Sequence, residues 1–137
     1  MSANGVNYLA IVIAAVIIFL LGGLWYSPVL FAKRWVALQG RTMDDMTAMG
    51  ASPVMYFEVF VCGLLTAWVL AVIIAHYGAV TVGGGAMIGV LCWIGLAGAT
   101  SYGSALFSFK PKALWAIDSG YNLVAFVVAG AILAVWR

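Results

Sequence analysis

Four long apolar runs dominate the chain, and few charged residues interrupt them. They cover residues 6–26, 54–77, 85–107 and 114–136. Each run matches the roughly 20 residues that a helix needs to cross a bilayer. Backbone N–H and C=O groups in hydrocarbon must form their hydrogen bonds within their own segment, as they do in a helix. The runs are apolar on every side and do not alternate between apolar and polar residues as the strands of a β-barrel would. We therefore predict an all-α polytopic membrane protein, a bundle of four transmembrane helices.

The connection between the first two runs, residues 27–53, is the only long one. Apolar and basic side chains interleave over residues 29–38, which is typical of a short helix lying in the headgroup layer. Thr42 precedes Asp45 by the three residues of a capping box. We therefore predict a second short helix over Met43–Met49.

Composition supports a lipid environment and one domain. Of the 137 residues, 66% are hydrophobic and 7% are charged, and the mean hydropathy is +1.16. A soluble domain usually has about a quarter of its residues charged, so this chain could not cover a surface facing water. The length leaves room for a single transmembrane domain over residues 1–137, and the net charge of +2 is too weak for binding nucleic acid. No Lys or Arg precedes the first run, so we expect a retained span rather than a cleaved signal peptide.

The basic side chains orient the predicted bundle. Five of them lie in the first and third connections, on one side of four spans: Lys33, Arg34, Arg41, Lys110 and Lys112. Arg137 is the only basic residue on the other side. Because cytoplasmic loops are enriched in Lys and Arg, we expect both connections in the cytoplasm and both termini on the non-cytoplasmic side. Trp25, Trp35 and Trp115 fall near the predicted interfaces, as an aromatic belt would.

Hydrogen-bonding groups gather in the cytoplasmic halves of the spans, whereas the outer halves are almost purely apolar. The carboxyl groups of Glu58 and Asp118 each lie roughly 7 to 10 Å along their helices from the nearest loop. The candidate polar site comprises Glu58, Asp118, Tyr26, Thr100, Ser101, Ser104 and Asn122.

Two interpretations of this polar layer remain open. A buried charge is costly unless it is paired, hydrated or neutral, so the acids could form a ligand pocket or a proton site. Alternatively they pair with Lys33, Arg34 or Lys112 and fasten the bundle together. The acids lie close to helix ends and to basic residues, which somewhat favours the structural interpretation.

No catalytic or cofactor motif is present in the sequence. Cys62 and Cys92 lie inside apolar spans without the clustered ligands of a metal site, and we expect no cofactor and no metal. We expect a protein that is not an enzyme. Gly85 and Gly89 are spaced as a small-xxx-small pair, which lets helices pack closely and is compatible with an oligomer.

Two stretches resemble a known family. Leu24-Trp25-Tyr26-Ser27-Pro28, followed by Phe31 and Trp35, and residues 112–121 with Trp115 and Asp118 are similar to motifs of the family catalogued as domain of unknown function 1761. The resemblance covers essentially the whole chain. It implies a small bacterial membrane protein, hence a location in the bacterial inner membrane, and it implies no activity and no ligand residue.

Three hypotheses for function follow. In the first, the protein is non-enzymatic and its polar layer holds the bundle together or binds a small ligand. In the second, it is a subunit of a small oligomeric channel or transporter, with Glu58 and Asp118 lining the path. In the third, it is an accessory subunit of a larger membrane complex. The expected partners are the lipid bilayer and a second copy or another membrane protein, with no nucleic acid.

Overall fold

The protein is built from helices connected by short loops. A computed structural model describes residues 5–136, and no strand occurs among them. The helices are α1 (Tyr8–Trp25), α2 (Ala32–Leu38), α3 (Met43–Met49), α4 (Pro53–Tyr77), α5 (Val82–Cys92), a π-helical segment (Trp93–Gly98), α6 (Ala99–Phe107) and α7 (Lys112–Val135). Arg137, which the predicted orientation used, lies outside the described residues.

Four helical stretches are long and apolar enough to cross a membrane. They are α1, α4, the continuous run Val82–Phe107 and α7. Only between 22% and 33% of the most apolar part of each stretch is buried inside the protein. Large side chains such as Leu20, Leu65 and Leu96 point outward, which fits lipid as the surrounding solvent. The all-α polytopic membrane fold predicted from the sequence is confirmed.

The helix ends follow local capping chemistry. Asn7 and Ser52 accept backbone hydrogen bonds at the starts of α1 and α4, and Gly78 ends α4 with a φ of 84°. The third stretch begins at Val82 rather than at the predicted Gly85, because Thr81 Oγ1 accepts a hydrogen bond from the Gly84 N–H at 3.0 Å. This cap stabilises helix over a glycine-rich segment that has little helical preference of its own.

The two short helices of the first connection are confirmed. The start of α3 has the predicted capping box: the Thr42 N–H donates to Asp45 Oδ2 at 2.9 Å, and the Asp45 N–H donates to Thr42 Oγ1 at 3.1 Å. Aspartate therefore replaces the more usual Glu or Gln in this box.

Helix α7 is the centre of the bundle and contacts α1, α4 and α5. Its closest neighbour is α5, where Gly85 and Gly89 face the backbone of α7. A Cβ at Gly85 would overlap the Gly130 carbonyl oxygen, and a Cβ at Gly89 would overlap that of Phe126. The two helices therefore touch backbone to backbone, as small-residue pairs allow.

The two ends of the bundle differ in chemistry. We call the end where α1 and α6 finish and α4 and α7 begin the polar end. All five Lys and Arg side chains of the described residues lie at this end, in the connections or at the first residue of α7. The connection between α4 and α5, at the other end, has no charged residue.

Candidate binding site at the polar end

Asp118 lies in the second turn of α7, half-buried among aromatic side chains. Its Oδ1 atom accepts a hydrogen bond from Tyr26 Oη at 2.6 Å and another from Trp35 Nε1 at 2.9 Å. Its Oδ2 atom has no hydrogen-bond partner among residues 5–136. One oxygen of the carboxylate therefore binds the protein, and the other is available to a ligand.

A tight turn between α1 and α2 positions the two donors. Ser27 Oγ donates to the Leu24 carbonyl at 2.7 Å, and the Phe31 N–H donates to the Trp25 carbonyl at 3.2 Å. The residue before a proline disfavours helix, so α1 stops ahead of Pro28 and the chain turns back. As a result α2 brings the Trp35 ring to within 5.2 Å of the Tyr26 ring, measured between centroids.

Three further tryptophans fix the same part of α7. Trp25 Nε1 donates to the Ile117 carbonyl, and Trp93 Nε1 donates to the Ser119 carbonyl, both at 2.9 Å. Trp115 Nε1 donates to Ser101 Oγ, also at 2.9 Å. The carbonyls that flank Asp118 are thus each held by an indole from another helix. Trp25, Trp35 and Trp115 direct their N–H groups inward to protein acceptors, which the assignment to an aromatic belt did not anticipate.

The π-helical segment carries one of these tryptophans. Trp93 is its first residue, and its ring packs against Gly98, where a Cβ would come within 3.1 Å of the ring. A π-helical turn shifts the side chains that follow relative to an α-helix, and such turns are frequent at functional sites. Here the Trp93 indole lies along its own helix against Gly98, and its Nε1 reaches the Ser119 carbonyl of α7.

A polar cavity of about 140 Å³ lies between α6 and α7, next to Asp118. Most of the residues in its wall have polar side chains: Ser101, Ser104, Ala105, Lys110, Trp115, Asp118, Ser119 and Asn122. Ser119 is only 3% exposed, and its Oγ has no hydrogen-bond partner among the described residues. A buried hydroxyl without a partner costs stability, and Ser119 is one of the residues in the cavity wall.

A wider space of about 500 Å³, which we call the vestibule, adjoins the cavity on the side of the loops. The vestibule is lined by residues of α2, α7, the loop after α2 and the loop between α6 and α7. It shares Asp118 and Lys110 with the cavity, and Arg41 is a second basic residue in its wall. The side chains of Asp118 and Lys110 carry opposite charges, yet no ion pair joins them or any other residues in the described part of the chain. The site therefore presents an unpaired anion and an unpaired cation to the same space.

The structure brings together most of the predicted polar residues. Asp118, Ser101, Ser104 and Asn122 line the cavity, and Tyr26 reaches it through its bond to Asp118. The other two predicted residues, Thr100 and Glu58, lie outside the cavity. Thr100 is exposed and donates to carbonyls of its own helix, at 3.1 Å to Leu96 and 3.2 Å to Ala97.

Glu58 lies on the exposed face of α4 and does not line the Asp118 cavity. It has no hydrogen-bond or ion-pair partner within residues 5–136. The two acids that sequence reasoning grouped together are therefore in different environments. The basic partners proposed for Asp118 are replaced by Tyr26 and Trp35.

Comparison with known proteins identifies the family. The model of the family described as protein of unknown function DUF1761 matches residues 9–134. The chain belongs to the DUF1761 family. No curated protein and no solved structure matches it. In this DUF1761 protein the two stretches that carried the resemblance meet in space, because Trp25, Tyr26 and Trp35 of the first contact Ile117 and Asp118 of the second.

The serines that line the cavity form no hydrogen bond with its carboxylate among residues 5–136. Ser101 Oγ already donates to the Gly98 carbonyl at 3.1 Å, and no serine of the described residues forms a hydrogen bond with Asp118. A nucleophile needs a base within hydrogen-bonding reach. Within residues 5–136 there is also no group of three His, Cys, Asp or Glu side chains that could hold a metal ion.

Proposed function

We propose that this protein is a non-enzymatic membrane protein that binds a small zwitterionic ligand in the cavity beside Asp118. The observation that carries the proposal is the unpaired Asp118 Oδ2 beside a cavity whose wall also includes Ser119, a residue with a buried hydroxyl that lacks a partner. A ligand amine would donate to Asp118 Oδ2, and a ligand anion would pair with Lys110. Charge-assisted hydrogen bonds of this kind are the strong ones in proteins.

The proposal includes an orientation. The polar end, with its five basic residues, faces the cytoplasm of a bacterial inner membrane. The vestibule then opens on the cytoplasmic side, where a water-soluble or headgroup-level ligand can reach Asp118.

Intrinsic fluorescence tests ligand binding, because Trp35 donates to Asp118 and Trp115 lines the cavity. Phosphoethanolamine, a small zwitterion, is titrated into the purified protein in mild detergent. We expect a saturable change in fluorescence that weakens by roughly tenfold in Asp118→Asn, which loses the charge but keeps an oxygen to accept from Tyr26 and Trp35.

The matched control is Glu58→Gln, which removes the same charge from a residue outside the cavity. It should bind like the unmodified protein. If the unmodified protein gives no saturable signal, or if Asp118→Asn binds equally well, the proposal is wrong.

Ser119→Ala separates a binding role from a structural one. Removing a buried hydroxyl that has no partner should leave the free energy of unfolding unchanged or slightly increased. If Ser119 serves the ligand, the same variant binds phosphoethanolamine more weakly. A variant that loses stability and keeps full affinity would assign Ser119 to the packing of the bundle.

A further inference from the structure

One face of α7 lines several cavities in succession, beginning at the proposed ligand site. Asp118, Asn122 and Phe126 are spaced by four residues and therefore lie on the same side of the helix. Asp118 is shared by the vestibule and the polar cavity. Asn122 is shared by the polar cavity and an apolar crevice of about 210 Å³ between α1, α4 and α7.

Beyond the crevice lies an apolar groove of about 300 Å³ between α4, the third membrane stretch and α7. Thr66 and Phe126 belong to the walls of both. The groove exists because α4 and α5 both pack on α7 and scarcely touch each other. Its wall is almost entirely apolar and includes Leu65, Val69 and Leu96.

From this order of cavities we infer that the ligand of the Asp118 site is a membrane lipid whose headgroup contains a primary amine and a phosphate. This inference rests on the proposed function and names the class of its ligand. The headgroup occupies the polar cavity and the vestibule, and one acyl chain follows α7 through the crevice into the groove. The polar residues of the cavity and vestibule then contact the headgroup, and the apolar residues of the crevice and groove contact the acyl chain of the same lipid.

The dimensions agree with a lipid of the leaflet at the polar end. Eight residues separate Asp118 from Phe126, which is about 12 Å along a helix. Half of a hydrocarbon core about 30 Å thick is about 15 Å. A headgroup at Asp118 therefore places the chain beside Phe126 near the middle of the bilayer, in the direction that lipid chains of that leaflet take.

The charges select the headgroup. A primary amine can donate a hydrogen bond to Asp118 Oδ2, whereas the quaternary ammonium of a choline headgroup has no N–H to donate. A phosphate within the same headgroup matches Lys110, which lines both the cavity and the vestibule. An anionic lipid without an amine would leave the Asp118 carboxylate unpaired.

Photo-crosslinking in nanodiscs tests the inference. The protein is reconstituted in phosphatidylcholine with a trace of either phosphatidylethanolamine or phosphatidylcholine that has a diazirine in one acyl chain. Crosslinked peptides are quantified by mass spectrometry. We expect the ethanolamine lipid to label the α4 and α7 peptides that contain Val69 and Phe126 roughly tenfold more than the choline lipid does.

The preference should disappear in Asp118→Asn and persist in Glu58→Gln. Equal labelling by the two lipids in the unmodified protein would overturn the inference. If phosphoethanolamine still binds in that case, the ligand is a free zwitterion and the proposed function stands. If neither the lipid preference nor phosphoethanolamine binding is observed, both are wrong.

Discussion

The two halves of α7 are fastened to the bundle in different ways. In the polar half, residues 112–122, indole and phenol groups donate hydrogen bonds to α7, and a cavity remains beside it. In the other half, residues 123–135, the backbone of α7 lies directly against α5 at Gly85 and Gly89. Ala129 and Ala134 are almost completely buried there.

The difference shows how one helix can combine rigidity with an open site. Close backbone contact leaves no space between the two helices that touch, and it needs only small residues. Hydrogen bonds from long aromatic side chains hold two helices further apart and leave space between them. This arrangement requires each donor to be positioned at its acceptor. The half of α7 that is held by side-chain hydrogen bonds is therefore the half that can receive a polar headgroup.

The largest effect is expected when the backbone contact is broken. Gly89→Ala places a methyl group where the Phe126 carbonyl oxygen lies, so α5 and α7 must move apart. We expect the free energy of unfolding to fall by roughly 3 kcal/mol, at the upper end of what overpacking costs. The measurement is SDS-induced unfolding in mixed micelles. Gly83→Ala is the control, because nothing lies within 4 Å of a Cβ there, and a loss as large as that of Gly89→Ala would contradict the proposed contact.

Removing the acceptor in the polar half should cost less. Asp118→Ala leaves Tyr26 Oη and Trp35 Nε1 without their partner, and we expect a loss of about 2 kcal/mol in the same assay. Asp118→Asn keeps an acceptor oxygen and should lose about half as much. Equal losses in the two variants would mean that the charge, and not the acceptor geometry, fastens the helix.

Loss of a single indole donor should be smaller again. Trp93→Phe keeps an aromatic ring but removes the N–H that donates to the Ser119 carbonyl. The loss is small because this carbonyl can still accept the backbone hydrogen bond of its own helix. We expect about 1 kcal/mol. Trp68→Phe is the matched control, since Trp68 is 46% exposed and forms no hydrogen bond through its side chain with residues 5–136. If both variants unfold alike, the bond to Ser119 does not fasten α7.

Sequence reasoning was strongest where the chemistry is local. The apolar runs predicted the membrane helices, and Thr42 and Asp45 predicted the start of α3. The spacing of Gly85 and Gly89 indicated a close helix contact, which the structure places against α7. Each of these features is encoded within one continuous stretch of the chain.

The partners of Asp118 could not be predicted in the same way. Trp35 lies 83 residues earlier in the chain, and an indole near a helix end suits an aromatic belt as well as an inward hydrogen bond. Glu58 and Asp118 looked equivalent because helices that are apolar on every side give no indication of which face is turned inward. A signal for the inward face was nevertheless present: Asp118 and Asn122 are four residues apart, on one side of α7.

The smallest effect is expected at α3, which packs on α2. The start of this helix is stabilised by the charged carboxylate of Asp45, which is exposed. Hydrogen bonds from the backbone and side chain of Thr42 hold the pKa of Asp45 below its ordinary value of 3.8. A depressed carboxyl pKa contributes stability that is fully present above the ordinary value and is lost as the pH falls through the lowered one. The carbon chemical shifts of residues 43–49 should therefore stay helical down to about pH 4 and lose helical character only below it. Asp45→Asn should lack this acid step, and a midpoint above 3.8 would show that the capping box does not hold the charge of Asp45.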